Sequence, residues 1–216
     1  MINIDNIDYG LPISVIVPLS KNRRTFFYNM VLPLIEANNP NEIIIVDDKG
    51  SAPKKRNDGF KKSTQPYIFF CDDDVLLPSN LLEKFFNELK SLENEGFKEY
   101  GYIYCGYKGI VLHPESHPMK GNFEIKSQEF DGEKLKRGNY ISTMSLINKK
   151  HFPMFDEKLR RFQDWDLYLN MYINKKIKGK FIEDIVFYAY YLDRGITNNE
   201  NNMLESYNII KNKYNL

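Results

Sequence analysis

The sequence is poor in cysteine: Cys71 and Cys105 are the two thiols among 216 residues. Two cysteines cannot form a disulfide framework or a four-cysteine zinc site, so both kinds of structural cross-link are excluded. We expect two reduced, buried thiols.

An excess of either charge is also missing. Lys and Arg together number 30 and Asp and Glu number 29, which leaves a formal net charge of +1. Such a balance produces no overall attraction to nucleic acid or to an anionic membrane. We therefore expect no nucleic-acid partner.

Long apolar runs do not occur in the sequence. Runs such as Ile43–Val46 and Val186–Leu192 are short, and a membrane span needs roughly 18–20 apolar residues. Residues Met1–Gly10 carry Asp5 and Asp8 and no apolar segment, which is not the pattern of a signal peptide. We expect a cytoplasmic protein without a membrane span, with peripheral association left open.

The first half of the chain alternates strand and helix patterns. Three short apolar runs, Ile13–Val17, Glu42–Val46 and Tyr67–Cys71, are typical of buried parallel strands. Between and after them, apolar residues recur at helical spacing within 26–35 and 81–89. This alternation predicts an α/β fold with a mostly parallel central sheet.

The second half is more mixed. It predicts two strands within Gly101–His113, separated by a glycine, and a long polar loop or hairpin region over Pro114–Asn139. Further strands are predicted at Ile141–Ile147 and Lys180–Leu192, and a terminal helix at Glu200–Tyr214. No segment rich in Pro, Gly and Ser divides the chain, so we expect one domain.

Acidic residues follow two of the predicted strands directly. Asp47 and Asp48 end the second strand, and Asp72, Asp73 and Asp74 end the third. Ligands of open α/β sheets bind beyond the carboxyl ends of the strands, so we expect these five carboxylates to share one crevice with a Mg²⁺ or Mn²⁺ ion. The alternative is that the acids cap turns and lie in solvent.

Four segments in order make the chain resemble glycosyltransferase family 2, a group of nucleotide-sugar-dependent enzymes with the GT-A fold. Ser14–Pro18 is similar to the opening strand of that family, and Ile45–Ser51 is similar to its "VDDGS" turn. Phe69–Asp74 is similar to its D-x-D element. Phe155–Glu157 together with Phe162–Leu167 is similar to its "FDE … EDWDL" element. Each motif alone is common, but their order over residues 13–198 is specific.

The resemblance implies a GT-A fold, which is a Rossmann-like α/β/α sandwich with a mostly parallel central sheet. It implies a single domain over 1–216, with a nucleotide-binding part at about 11–105, an acceptor-binding part at about 106–198 and a terminal helix at about 200–214.

Two features depart from the family pattern. Asp48 and Asp72 are 24 positions apart, which leaves no room for the extra helix and strand that usually follow the "VDDGS" turn. Gln163 stands where the family usually has Glu, which bears on the choice of acceptor.

The resemblance also assigns roles on the donor side. The metal would be held by Asp74 and Asp72. The nucleotide-sugar would be contacted by residues of the strand ends, the following helix and a late loop, namely Pro18, Leu19, Asp48, Arg56, Asp72, Asp73 and Arg194. Asp47 is expected to be a structural acid, and solvated positions remain alternatives for Arg56 and Arg194.

On the acceptor side, the resemblance makes Asp164 the general base. An aspartate at the start of a helix is also a good N-cap, which is the alternative. Trp165 and Asp166 would contact the acceptor, with a core position for Trp165 and a cap role for Asp166 as alternatives.

The implied function is a metal-dependent inverting glycosyltransferase that uses Mn²⁺ or Mg²⁺. It would move a hexosyl or N-acetylhexosaminyl group from a nucleotide-sugar, a UDP-sugar first of all, to a saccharide or other hydroxyl acceptor in glycan or polysaccharide synthesis. Two alternatives stay open: a nucleotidyltransferase acting on sugar phosphates, although Pro18–Asn22 lacks a glycine-rich phosphate loop, and a catalytically degenerate sugar-nucleotide or glycan-binding module.

Overall fold

The computed structural model describes residues 10–112, 115, 121–191 and 200–216. The strands are β1 (Leu11–Pro18), β2 (Pro40–Val46), β3 (Tyr67–Phe70), β4 (Val75–Leu76), β5 (Tyr100–Val111), β6 (Phe123–Ile125), β7 (Leu146–Asn148) and β8 (Lys178–Tyr191). The helices are α1 (consecutive turns Lys21–Arg23, Arg24–Phe26, Phe27–Val31 and Leu32–Glu36), α2 (Ala52–Lys62), α3 (Leu81–Asn94), α4 (Gly132–Arg137), α5 (Gln163–Leu169, continued by Asn170–Asn174) and α6 (Glu200–Tyr214).

All eight strands belong to one sheet, in the order β2-β1-β3-β7-β5-β8-β4, with β6 paired to β5. The long pairings, β1 with β2, β1 with β3, and β5 with β8, are parallel. The pairings that involve β7, β4 and β6 are antiparallel and only two or three residues long. The predicted α/β fold with a mostly parallel central sheet is confirmed.

Helices cover both faces of this sheet. Alternate residues of β1 face opposite layers, with Val15 in one apolar cluster and Ile16 in the other. Val15 packs in the layer of α1 and α3, which contributes Phe27 and Phe85. Ile16 packs in the layer of α5 and α6, which contributes Leu167. The molecule is thus an α/β/α sandwich with a buried sheet, as the continuous apolar strands require.

A single helix, α2, joins β2 to β3, and β1 lies between these two strands. The extra helix and strand of the family pattern are therefore missing between Asp48 and Asp72, as the spacing of these two residues predicts. The cavity described below lies at the carboxyl end of β3, which is the end of the sheet at which α2 begins.

Three details of the second half differ from the sequence predictions. The two strands expected within Gly101–His113 are one strand, β5, whose register with β8 shifts between Cys105 and Gly106. The shift accommodates extra residues of β8 as a bulge, so the glycine marks an irregularity of pairing and not a turn. The region expected to be a loop or hairpin over 114–139 contains β6, which pairs antiparallel with β5 as in a hairpin, and also the helix α4, which was not predicted.

The strand expected at Ile141–Ile147 is also shorter than predicted, because β7 begins at Leu146. The preceding segment, Ser142–Ser145, bonds instead to a tyrosine of α5, as described below.

Cys71 and Cys105 are both buried and free, as expected from their number. Burial raises the pKa of the Cys105 thiol to about 12. Within the described ranges, no helix has the length and apolar character that a membrane crossing requires.

Gly59 is a point at which α2 packs closely on the sheet. A Cβ at this position would lie 2.4 Å from Ile16 Cγ2 and 3.3 Å from Val46 Cγ2. Ala normally stabilises a helix relative to Gly. Here we expect Gly59→Ala to lower the free energy of unfolding by about 1–3 kcal/mol, because the core must open to admit a methyl group.

Urea unfolding measures this effect. Gly121→Ala is the matched control, since a Cβ there meets no atom within 4 Å. A Gly59→Ala protein as stable as the control would contradict the close packing of α2 on β1 and β2.

Candidate active site

A cavity of about 450 Å³ opens where the D-x-D segment, β5, β8 and the start of α5 meet. Its acidic lining consists of Asp72, Asp74 and Asp164. The rest of its lining is made of hydroxyl, amide and tyrosine side chains and a few apolar groups, among them Tyr107, Ser127, Asn139, Tyr140, Ser142, Thr143, Met144, Tyr190 and Tyr191. The lining therefore combines acidic, polar and aromatic side chains.

The three acids after β3 have different surroundings. Asp73 is 3% exposed and accepts hydrogen bonds from the Ser20 backbone N–H at 2.6 Å and from Arg23 at 2.9 Å. It thereby ties the end of β3 to the start of α1, and it does not line the cavity. Asp74 faces the cavity and lies 2.6 Å from the same arginine, Arg23.

Burial raises the pKa of the Asp74 carboxyl to about 7, with Arg23 opposing the rise and the negative charges of Asp72 and Asp73 adding to it. The carboxyl groups of Asp72 and Asp74 thus repel each other at one wall of the cavity. A cation between them would relieve that repulsion.

The donor set fits a Mg²⁺ or Mn²⁺ ion that is shared with a phosphate-bearing substrate. Among the described residues, no three His, Cys, Asp or Glu side chains form a metal-binding group, so an all-protein cage does not match. Mg²⁺ is commonly bound through one or two carboxylates together with substrate phosphates, which is the set that Asp72 and Asp74 offer.

The expectation that all five strand-end carboxylates share one crevice is wrong. Asp47 forms an ion pair with Arg24, and neither Asp47 nor Asp48 lines the cavity. The sheet order explains this, because β1 lies between β2 and β3. The two acidic turns are therefore separated by two strand spacings, each of about 4.8 Å.

Arg56 lies beneath the acidic wall of the cavity and is buried, so the alternative of a solvated position for this residue is wrong. One terminal nitrogen donates to Asp72 Oδ1 at 2.6 Å and the other donates to Gln163 Oε1 at 2.9 Å. The guanidinium also lies over the Phe155 ring, 5.4 Å from its centre. Arg56 therefore joins the D-x-D segment to the first turn of α5, and Gln163 supplies the neutral acceptor.

We expect Arg56→Met to lower the free energy of unfolding by about 1–3 kcal/mol. The substitution removes a charged hydrogen bond and leaves Asp72 and Gln163 without their shared donor. Equilibrium unfolding in urea measures the loss, and Arg160→Met, at an exposed position, is the control. Equal stability of the two variants would show that the two hydrogen bonds of Arg56 make no net contribution to the free energy of unfolding.

At the carboxyl end of β1, Pro18 and Leu19 are both buried. The Leu19 carbonyl accepts a hydrogen bond from Lys55 Nζ at 2.6 Å. Lys55 itself is 9% exposed. The burial of this lysine could not be predicted from the sequence, because it depends on how α2 packs over β1.

Asp164 stands in the first turn of α5 and lines the cavity. It is not the N-cap, because that position belongs to Phe162, which has a left-handed backbone (φ 57°) and makes no side-chain cap. The Asp164 carboxylate accepts from the Trp165 N–H at 2.9 Å. Burial raises its pKa, opposed by the Trp165 N–H and by the positive charge of Arg56.

The structure places Trp165 and Asp166 away from the cavity. Trp165 is buried and donates from Nε1 to the Leu135 carbonyl at 2.6 Å, which is the core position given as its alternative. Asp166 is 1% exposed and pairs with Lys213 of α6. Arg194 lies outside the described residues.

One further side chain shapes the cavity and was not identified from the sequence. The hydroxyl of Tyr168, on α5, lies 2.6 Å from the Ser142 carbonyl oxygen and 2.8 Å from the Ser145 hydroxyl. It holds the segment whose Ser142, Thr143 and Met144 line the cavity.

The model of the family described as "Glycosyl transferase family 2" matches residues 52–155. The resemblance to glycosyltransferase family 2 is confirmed. The matched segment begins at α2 and ends at Phe155, and so includes Arg56 and all three acids after β3. None of the curated proteins matches the sequence significantly.

Solved structures show the same fold. S. aureus TarS 1-349 in complex with UDP-GlcNAc has a TM-score of 0.66 and 14% identity, over 94% of this chain and 66% of that one. TarS 1-349 in a second structure has a TM-score of 0.62 and 15% identity, over 94% and 65%. The mannosyltransferase PcManGT from Pyrobaculum calidifontis, in complex with GDP-Man and Mn²⁺, has a TM-score of 0.58 and 13% identity, over 87% and 59%.

These similarities confirm the predicted GT-A fold. The chain spans between 59% and 66% of the length of those three chains.

Proposed function

We propose that this chain is a metal-dependent inverting glycosyltransferase that moves a sugar from a nucleotide-sugar to a hydroxyl acceptor. The observation that carries the proposal is the cavity itself. It joins Asp72 and Asp74, which suit a cation shared with a diphosphate, to Asp164, a carboxylate with a raised pKa and no cationic side-chain partner within bonding distance among the described residues. The family 2 match supports this assignment.

The proposed donor is a UDP-sugar that carries a hexosyl or N-acetylhexosaminyl group. Two proteins of the same fold support a nucleotide-sugar, since TarS was solved with UDP-GlcNAc and PcManGT with GDP-Man and Mn²⁺. In our proposal the nucleoside lies near Pro18, Leu19 and Asp48. Residues 11–105 then form the donor part and residues 106–198 the acceptor part of one domain.

The remaining donor contacts are proposed for the diphosphate. Asp72 and Asp74 would hold Mn²⁺ or Mg²⁺, which supplies positive charge to the leaving diphosphate when bound. Arg56 keeps Asp72 in place through its 2.6 Å hydrogen bond. Asp73 acts indirectly, by holding Arg23 beside Asp74. Arg194 remains a proposed contact of the diphosphate.

Asp164 is the proposed general base. As the acceptor oxygen forms its bond to the anomeric carbon, the bond from that carbon to the diphosphate breaks and its electron pair leaves with the diphosphate. The acceptor proton passes to the Asp164 carboxylate, which is a stronger base than an exposed aspartate because burial raises its pKa. A single displacement of this kind inverts the anomeric configuration.

The proposed acceptor is a saccharide, in glycan or polysaccharide synthesis. Ser127, Asn139, Ser142 and Thr143 offer hydroxyl and amide groups along the cavity. Tyrosine side chains beside them combine an apolar face with a polar tip, which suits a sugar ring and its hydroxyls.

The test is to incubate the protein with Mn²⁺ and a panel of UDP-, GDP- and dTDP-sugars and to measure the nucleoside diphosphate released, with saccharides and without. We expect release from one donor, faster with an acceptor, and an inverted anomeric proton signal in the product. Pyrophosphate release from a nucleoside triphosphate would instead establish the nucleotidyltransferase alternative. Donor binding without any release, with every acceptor, would establish a degenerate binding module.

A further inference from the structure

The last turns of α6 bind the start of α5 through charged and hydroxyl groups. Lys213 Nζ lies 2.8 Å from Asp166 Oδ1 and 3.1 Å from Asp156 Oδ2. The Tyr214 hydroxyl lies 2.9 Å from Asp166 Oδ1 and 3.1 Å from the Asp166 carbonyl oxygen. Both residues thus converge on one carboxylate that is two positions from Asp164.

Earlier turns of α6 contact the same segment of the chain. The Arg161 N–H donates to the Ser206 hydroxyl at 3.1 Å. The ring of Tyr207 lies 5.7 Å from that of Trp165, tilted by 30°. All of these contacts fall within 156–166, the stretch that leads into α5 and forms its first turn.

The first turn of α5 has little stability of its own. Its α-helical part has seven residues, and Phe162 at the N-cap makes no side-chain hydrogen bond to the backbone N–H groups of the first turn, of which the Trp165 N–H bonds to Asp164. A short helix without a cap depends on tertiary contacts for its position. Asp166, buried almost completely, adds a second requirement, because a buried carboxylate needs a cation, and Lys213 provides it.

We propose that α6 is a clamp on α5, and that Lys213 is a positioning residue for the general base. Lys213 holds Asp166, Asp166 fixes the first turn of α5, and that turn carries Asp164 into the cavity. The role of Lys213 as a positioning residue rests on the proposed function, because it concerns Asp164 as general base. The hold of α6 on α5 does not depend on that function.

The test compares Lys213→Met, Lys213→Arg and the control Lys211→Met for donor binding and for sugar transfer. We expect Lys213→Met to lower kcat by about 10- to 100-fold, because small displacements of a catalytic group have effects of this size. KM for the donor should stay within about twofold, because no described side chain of α6 lines the cavity. Lys213→Arg, which retains the cation, should recover most of the loss.

Trp165, the single tryptophan of the chain, reports the clamp without any assay of activity. Lys213→Met should shift its emission to the red and increase quenching by acrylamide, since the contact with Tyr207 loosens. Lys211, two positions away, has its ammonium 5.9 Å from the Tyr207 ring and makes no described contact with either carboxylate, so Lys211→Met should leave the emission closer to that of the wild type.

The outcomes separate the clamp from the proposed function. Unchanged kcat and unchanged Trp165 emission in Lys213→Met would overturn the clamp. If the wild type transfers no sugar, the proposed function fails, and the emission of Trp165 alone decides whether α6 clamps α5. If Lys213→Met does not fold, Tyr214→Phe, which removes one hydroxyl from Asp166, should show the same changes on a smaller scale, and a Tyr214→Phe protein identical to the wild type would overturn the proposal.

Discussion

Asp164→Asn is expected to reduce kcat for sugar transfer by about 10²- to 10⁴-fold, with the donor affinity unchanged. The amide has nearly the shape of the carboxylate but cannot take the acceptor proton, and general bases contribute within this range. Single-turnover transfer and donor titration measure the two quantities separately. Asp184→Asn, at a carboxylate that is 70% exposed on β8, is the control.

The same variant should be at least as stable as the wild type. Burial raises the pKa of Asp164 in the folded protein, so ionisation at neutral pH costs folding free energy, and a neutral side chain removes that cost. For the same reason, kcat of the wild type should rise with pH through a value above that of an ordinary aspartate. An Asp164→Asn protein that keeps full transfer activity would remove Asp164 from the mechanism.

Asp74→Asn is expected to lower kcat/KM by about 10²- to 10³-fold and to abolish the dependence of the rate on Mn²⁺ concentration. Removal of one charge that holds the cation beside the diphosphate weakens the main electrostatic stabilisation of the leaving group. The fold should survive, because Arg23 keeps its hydrogen bond to Asp73.

Asp47→Asn is the control for this prediction, since Asp47 also ends a strand but pairs with Arg24 outside the cavity. Rates are measured against Mn²⁺ concentration for both variants. Equal losses in the two, or a Mn²⁺ response of Asp74→Asn like that of the wild type, would contradict the assignment of the cation to Asp74.

The parallel half of the fold could be predicted because its strands are buried on both faces. Ile13–Val17 and Tyr67–Cys71 are nearly continuous apolar runs, and such runs leave few alternatives. The terminal helix has the predicted bounds, Glu200–Tyr214. The segment before β7 could not be predicted, because its strand-like pattern is overridden by a hydrogen bond to Tyr168, 26 positions away.

The position of the candidate site could be predicted from the sequence, but the separate roles of its residues could not. Three consecutive aspartates look alike, and what separates them is Ser20 and Arg23, which lie 53 and 50 positions earlier. Arg56 is a similar case. A basic residue on a polar helix looks solvated until the fold places Asp72 on one side of it and Gln163 on the other.

The two acids of the "DWD" segment could not be told apart either. Asp164 lines the cavity and Asp166 faces α6, because a step of two residues turns the side chain to the other side of a helix. The residue that pairs with Asp166 is Lys213, which lies 47 positions later in the sequence. Local patterns carry no information on such long-range ion pairs.

A calorimetric titration of the protein with nucleotide-sugars, with Mn²⁺ and then with EDTA, tests the central claim most directly. The cavity that contains Asp72, Asp74 and Asp164 is predicted to bind one of the UDP-, GDP- or dTDP-sugars with one site per chain. That binding should be stronger with Mn²⁺ than with EDTA and weakened in Asp74→Asn. A protein that binds none of these nucleotide-sugars, with or without the metal, would contradict the claim.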